Sequence, residues 1–396
     1  MLTLQGELSA QHYIPTDSRL NHLYDYYQDR HGVNIHSLYA RPVKSLAFQQ
    51  VSAAFPEYLF AGDSLGAKAN IAVEAGEGRP FVRLYPSLTF YGAFHPAFYI
   101  GMETIGTNDA DGMTRLGTEE APGGITGRVQ RAWIGYDTEH FEIVVGRDAL
   151  QLGPGRFSNL IINGDLPPYD MFRIRMSRYG FHLYSFSTFL PRIESEFDPL
   201  VYVNRYMSGK RIAYQTRDGR LTVGVGDVIM YTGVKRVFNW ALSNPFIPAY
   251  LLVHDDVETI SPNLADNENI QMYADASVRF GQNHTGYFEV NFDEFQSDPD
   301  DRKLRDDEIG YTLGYAGVYN LSQKFNLHLQ AEFSSVRTWV YNHPGHYTQY
   351  TYKDRPIGNS EGGDLREYHI QADLWSGLKW SVGLRYSAWH QGEITL

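Results

Sequence analysis

Phe325-Asn-Leu-His-Leu-Gln-Ala-Glu-Phe-Ser334 decides how this chain is read. Successive side chains of an extended backbone point to opposite faces. Phe325, Leu327, Leu329, Ala331 and Phe333 therefore share one face, and Asn326, His328, Gln330, Glu332 and Ser334 share the other. The first face is apolar with aromatic ends, and the second is polar throughout. The same dyad recurs where Met272, Ala274, Ala276, Val278 and Phe280 alternate with Tyr273, Asp275, Ser277 and Arg279. It recurs again where Phe288, Val290 and Phe292 alternate with Glu289, Asn291 and Asp293. Nearer the end, Tyr368, Ile370, Ala372 and Leu374 oppose Glu367, His369, Gln371 and Asp373, and Trp380, Val382, Leu384, Tyr386 and Ala388 oppose Lys379, Ser381, Gly383, Arg385 and Ser387. Further candidates lie at 67–76, 80–90, 91–103, 128–137, 141–147, 170–178, 180–190, 208–217, 221–231, 309–320 and 346–353. The expected count is about 16 strands.

The connections alternate in length. Asp218-Gly219 is a two-residue hairpin signal, and 137–140, 321–324 and 376–379 are similarly tight. The stretches 104–127, 148–169, 191–207, 232–269, 296–307 and 354–366 are long, and several carry clustered acidic residues. Short turns at one end and long loops at the other are the pattern of an outer-membrane barrel. A soluble sandwich also alternates, but its apolar face is a dry Val/Ile/Leu core. Here the strand ends carry Tyr, Phe and Trp, as girdles at two membrane interfaces require. Residues 9–60 read differently. Ser18 or Asp17 caps a helix carrying Leu20, Leu23, Tyr24 and Tyr27, and Ser45 opens a second with Leu46, Val51, Ala54 and Phe55.

Composition excludes several classes. The 396 residues contain no cysteine, so disulfide frameworks, thiolate metal sites and cysteine nucleophiles are absent. Lys+Arg number 34 against 46 Asp+Glu, a net charge of −12 that argues against a nucleic-acid partner. The longest apolar run, Phe246 to Val253, is broken by Pro248 and falls far short of the roughly 20 residues a spanning helix needs. The first residues lack the basic, apolar and small-residue regions of a secretory signal, so export implies a leader removed before this numbering begins.

No nucleophile elbow, His-Glu-x-x-His zinc motif or phosphate loop occurs. Val223-Gly-Val-Gly-Asp227 lies inside an alternating strand and reads as strand. Adjacent Asp293 and Glu294 face opposite sides of a strand and cannot share one catalytic site unless the strand ends there. His343 and His346 are the only close histidine pair, and a chance pair in a Tyr-rich loop is the better reading than a metal site. These features favour a binding or transport protein over an enzyme, with no cofactor and no metal expected.

Several strings, in order, resemble the Wzi family of capsule-assembly outer-membrane proteins. They are Tyr13-Ile-Pro-Thr-Asp-Ser-Arg-Leu-Asn-His-Leu-Tyr-Asp25 with Arg41-Pro42, and Val145-Gly-Arg-Asp-Ala-Leu-Gln-Leu-Gly-Pro-Gly155. Lys210-Arg211-Ile212, Gly226-Asp-Val-Ile-Met-Tyr231, Asn244-Pro245 and Asp266-Asn267 follow, then Phe292-Asp-Glu-Phe-Gln296 and Pro356-Ile-Gly-Asn-Ser-Glu-Gly-Gly-Asp364. Lys210 stands where that family often has His, and Asp227 where Glu is common. The resemblance implies a lectin that holds capsular polysaccharide at the cell surface, without enzymatic activity.

The expected architecture is thus all-β, a transmembrane antiparallel barrel of about 16–18 strands over residues 63–396. Residues 1–62 form a short N-terminal segment with two helices on the periplasmic side. Candidate polysaccharide-binding residues are Arg147, Arg211, Asp227, Asn244, Asp266, Asn267, Asp293 and Gln296. Expected partners are capsular or other surface polysaccharide and outer-membrane lipid, around a monomer. The alternative is a porin-like channel for small solutes or saccharides. Gly153-Pro154-Gly155 frees the chain to turn inward as a plug or rim loop. Arg211 is expected to pair with Asp227 or Asp293 across the lumen, and an acidic polysaccharide would require Arg131, Arg147, Arg173, Arg175, Arg211 and Arg279 to gather on one inner wall.

Overall fold

The computed structural model describes residues 66–75, 82–95, 97–108, 126–195, 200–256, 268–294, 308–342, 346–376 and 380–392, together with 13–14, 25–26, 29–30, 40–41, 43–44 and 198. Fifteen strands within these residues form one antiparallel sheet in which each strand pairs with the next in sequence. They are β1 (Gly66–Ala75), β2 (Val82–His95), β3 (Phe98–Thr107), β4 (Thr126–Asp137), β5 (Phe141–Asp148), β6 (Tyr169–Arg178), β7 (Phe181–Glu194) and β8 (Tyr202–Gln215). The series continues with β9 (Leu221–Val234), β10 (Glu268–Phe280), β11 (His284–Glu294), β12 (Glu308–Asn320), β13 (Phe325–Val336), β14 (Leu365–Ser376) and β15 (Trp380–Gln391). No described helix is long and apolar enough to cross a membrane. The strands do the crossing in this β-barrel.

Alternation fixes which face is which. On β12, Leu313 is 58% exposed while Thr312 is fully buried, and on β14 Ile370 is 50% exposed while His369 is 9% exposed. Apolar side chains thus face outward and polar ones inward, the reverse of a soluble sandwich. The outward aromatics gather in two belts. At the short-turn end Phe98 meets Tyr136 at 4.8 Å, Phe181 meets Tyr214 at 5.0 Å and Phe325 meets Trp380 at 6.0 Å. At the other end Phe333 meets Tyr368 at 4.8 Å and Tyr311 at 5.9 Å. Phe325 and Phe333 are separated by roughly 26 Å along β13 at ~3.3 Å per residue. At the ~35–45° tilt of such strands this spans roughly 20 Å along the bilayer normal, inside the ~25 Å apolar band of such barrels.

The sequence places most strands within a few residues. Two readings need correction. The break expected near residue 90 comes later, because β2 continues through Gly92 to His95 and β3 begins at Phe98. The stretch 346–353 is not a wall strand. It holds a 3-10 turn at His346–Thr348 and a small hairpin, Thr351–Tyr352 with Arg355–Pro356, inside the long loop after β13. Its alternation serves a two-stranded tongue. Fifteen of the expected 16–18 strands fall within the described residues. The first expected helix is represented by residues 25–26 and 29–30, which are helical. The second expected helix lies outside the described residues.

Candidate functional site

The apolar core of this protein sits in the lumen. The loop between β5 and β6 (149–168) turns inward and buries Leu150, Leu152, Leu160, Ile161 and Ile162 against Met171, Phe186, Met207, Val228 and Met230 of the wall. Its entry bend is Gly153, with φ +111 and the Glu289 carboxylate 2.3 Å from where a Cβ would stand. Only glycine fits that approach without strain. Wall carboxylates hold the backbone of the loop. Glu332 accepts the amides of Arg156 (2.8 Å), Phe157 (3.2 Å) and Ser158 (2.8 Å), and Glu289 accepts that of Leu160 (3.2 Å). Net of desolvation, hydrogen bonds of this kind contribute about 0.5–1.5 kcal/mol each.

A second loop, 337–364, closes over the first from the long-loop end. Tyr341 and Tyr350 donate to the carbonyls of Leu160 (2.7 Å) and Ile161 (2.9 Å), and Tyr352 donates to that of Pro168 (2.9 Å). Burial pushes all three hydroxyls up, Tyr352 to about 12, so they stay protonated donors. The hairpin tip, Lys353 and Asp354, holds φ of 51° and 59°, the left-handed pair of a type I′ turn. On the far wall, Arg205 reaches the carbonyls of Tyr347, Gln349 and Thr351 at 3.0 Å each. At the outer surface of this cap, the 338–341 turn leaves Trp339 51% exposed.

From the opposite end the N-terminal segment enters the lumen. Tyr26 stacks on Trp375 at 4.4 Å and accepts from Asn326 at 3.0 Å. Asp29 lies fully buried against Arg156 (2.6 Å), His328 Nε2 (2.9 Å) and Thr285. Burial acts to raise the Asp29 carboxyl, but the Arg156 charge and the hydrogen bonds from His328 and Arg156 outweigh it and hold the group well below the usual carboxylate range. Ala40–Arg41 adds a short antiparallel strand to Gln151–Leu152 of the inward loop. The N-terminal segment and the loop thus meet at two points.

A third long connection, 235–256, goes the other way. Lys210 on β8 and Asp227 on β9 are cross-strand partners on the outward face, 3.4 Å apart. Lys210 donates to the carbonyls of Asn244 (3.3 Å) and Ile247, and Asp227 accepts the amide of Ala249 (3.3 Å) at the start of helix α1 (Ala249–Asp256). Ser187 and Ser208, also outward, sit 2.9 Å apart, and Ser187 donates to Ser243 at 2.9 Å. Leu242 and Ala249 then pack on Tyr206, Ile229 and Tyr231. This connection is an overhang clamped to the outer wall.

The candidate residues divide accordingly. Arg211 faces inward and grips Asp275 at 2.6 and 2.8 Å, not Asp227 or Asp293, because Asp227 has the opposite parity and Asp275 lies two strands over on the same inner face. Arg147 faces outward at the rim, in a bidentate pair with Asp170 at 2.7 and 2.8 Å. Asp227, on the outer face of β9, braces the overhang that carries Asn244, so both lie on the side of the wall away from the lumen. Asp293 accepts the amide of Tyr341 and braces the cap. Asp266, Asn267 and Gln296 lie outside the described residues. Of the inner arginines, Arg173 holds Glu142 (3.0 Å) and Asp148 (3.1 Å), Arg131 holds Glu103 (2.8 Å), and Arg175 lies 3.7 Å from Glu142. Arg131, Arg173 and Arg175 share the inner face of β4 and β6 and sit in ion pairs, whereas Arg147 faces outward and Arg211 pairs with Asp275 farther along the wall. Sequence reasoning missed Asp29, Arg156, Glu332 and Trp339. The inward Glu332 carried a parity signal, Asp29 lies on a helix whose spacing does not say what it docks against, and Arg156 and Trp339 lie in loops. Among the described residues, no group of His, Asp and Glu is arranged to hold a metal.

Residues 82–393 match the family described as capsule assembly protein Wzi. Among solved structures the chain is similar to Wzi of Escherichia coli, described as an outer membrane protein involved in group 1 capsule assembly and a carbohydrate binding β-barrel. The two are 13% identical with a TM-score of 0.62, over 95% of this chain and 85% of that one. It is also similar to a loop L8 deletion mutant of OmpT from Vibrio cholerae, at 10% identity and a TM-score of 0.39, over 82% of this chain and 95% of that one. Salmonella typhi OmpF in complex with daunomycin gives 11% identity and a TM-score of 0.40, over 82% and 90%. No curated protein sequence matches the chain.

Proposed function

The chain belongs to the capsule assembly protein Wzi family, and from that premise we propose that it binds surface polysaccharide at its extracellular cap, serving capsule attachment or assembly on the bacterial outer membrane, and is not an enzyme. The observation that carries this reading is the family match, which spans β2 to β15 and takes in every loop of the cap.

The filled lumen supports it. A porin needs a continuous wet path, whereas here the loops at 149–168 and 337–364 and the residues Tyr26 and Asp29 occupy the interior. A binding surface needs the opposite, a rigid platform. Trp339, exposed on a turn whose carbonyls at Arg337, Thr338 and Val340 crowd Gly363, offers an aromatic face of the kind that stacks on a sugar ring. Arg131, Arg173, Arg175 and Arg211 face carboxylates and Arg205 faces carbonyls, which supports receiving an acidic polymer at the surface of the cap over threading it through the barrel.

The test is binding of the refolded, detergent-solubilised protein to polysaccharide purified from its own organism, with heat-denatured protein as control. Saturable binding that weakens in Trp339→Ala supports the proposal. A refolded barrel that binds nothing and conducts steadily in a planar bilayer overturns it in favour of the channel.

A further inference from the structure

The overhang does more than cover polar groups. Beneath Phe246, on the outer wall of β5 to β8, lies a cavity of about 420 Å³ lined by Phe141, Met176, Phe181, Leu183 and Ile212. That is within the ~300–1,000 Å³ range of small-molecule sites. The parity of these strands points all five side chains away from the lumen: Glu142, Arg175, Tyr184 and Arg211, their immediate neighbours, are buried on the inner side. The cavity therefore opens to the bilayer. Its upper end is roofed by Phe246, 68% exposed, and its lower end reaches the short-turn rim, where His140, Ser177, Arg178 and His182 complete the lining. Arg178 lies over the Tyr179 ring at 4.8 Å and donates to its hydroxyl at 3.1 Å. No carboxylate among the described residues pairs with it.

We propose that this groove is a specific phospholipid site, holding one acyl chain between Phe246 and Phe181 with the lipid phosphate on Arg178 at the periplasmic interface. Two features select this occupant. The lining that faces hydrocarbon is apolar, and Ser177 and His182 at its lower end are bonded to each other at 3.0 Å, so a chain enters at little desolvation cost. The one guanidinium stands at the end where headgroups lie, and Arg is well matched to a phosphate through paired N–H donors. A protein partner would instead have to meet a recessed slot beneath an overhang. On the wall at β12, by contrast, outward Leu313 stands in the open.

The experiment is native mass spectrometry of the delipidated full chain in detergent, titrated with palmitoyl-oleoyl phosphatidylglycerol. Heat-modifiable gel migration confirms the fold of each variant. One lipid is expected to remain on the wild-type barrel. Ile212→Trp fills the slot and abolishes that retention, while Leu313→Trp on the opposite wall leaves it unchanged. Arg178→Glu is expected to weaken it about tenfold, the equivalent of one lost charge-assisted hydrogen bond. Should Ile212→Trp not refold, Arg178→Glu at its exposed turn carries the test. Equal retention by both tryptophan variants, or by wild type and Arg178→Glu, overturns the proposal, as does equally effective competition by inorganic phosphate. Polysaccharide binding at the cap is expected to survive Arg178→Glu, so the two readings fail separately.

Discussion

Two long connections leave the same end of this barrel and part ways. The 149–168 loop goes in and the 235–256 connection goes out, and each brings the polarity that its wall lacks. Inside, the wall supplies carboxylates and the loop brings leucine, isoleucine and backbone amides, so Glu332 and Glu289 become acceptors for amides that would otherwise be buried without partners. Outside, the wall breaks its own apolar rule with Ser187, Ser208, Lys210 and Asp227, and the overhang brings the carbonyls, amide and hydroxyl that satisfy them. Non-strand backbone survives at membrane depth only where its polar groups find partners in protein. The direction a loop takes is thus written in the wall it lands on.

The sharpest way to break this contrast is to remove the inner member. Replacing 153–165 with a short Gly-Ser linker is expected to convert a silent barrel into one that passes steady current in a planar bilayer. An unchanged silence would mean that the cap and the N-terminal segment suffice to block it. Next in size is Arg156→Met, which strands the buried Asp29 carboxylate. Breaking a buried pair in this way costs about 3–5 kcal/mol, read as a lowered unfolding midpoint in urea, and the double variant with Asp29→Leu should recover most of it.

The same pair sets a pH dependence. Asp29 has its carboxyl lowered in the folded state, so its contribution is full above the unfolded value near 3.8 and fades only as pH falls through the depressed folded value. The N-terminal segment should therefore stay protease-resistant at pH 4 in wild type. Its release there would refute the assignment.

On the outer side, Lys210→Met leaves Asp227 buried beneath the overhang at a cost of about 3 kcal/mol, and limited proteolysis should then cut within 235–256. The smallest effect expected is that of Tyr352→Phe. It removes one hydroxyl from the cap and costs about 1 kcal/mol, measurable as a modest shift in thermal unfolding.

Much of the wall was legible because period-two alternation is a local property. The polar face of β13, from Asn326 to Ser334, is the inner face in the structure. Inward folding at Gly153-Pro154-Gly155 was legible too, because a glycine bend in an otherwise extended run has few uses. Lys210 and Asp227 face each other across β8 and β9, a pairing that no single-strand pattern reveals. What alternation could not supply was the destination of side chains in loops. Asp227 and Asn244 look like ligands for a sugar in a list of polar residues, but parity puts Asp227 on the outer wall and the overhang carries Asn244 to meet it. Arg147 is likewise outward, one residue from the inward Asp148. A shift of one residue exchanges lumen for lipid.

The N-terminal latch also constrains the order of assembly. Tyr26 meets Asn326 across 300 positions of sequence, and Asp29 meets His328 across 299. Contacts of such separation form late and slow folding. Tyr26 and Asp29 must wait, undocked, until β13 and β14 are in place. Closure of the interior is accordingly a final step of biogenesis, and a nascent barrel lacking its last strands would stand open at the periplasmic side.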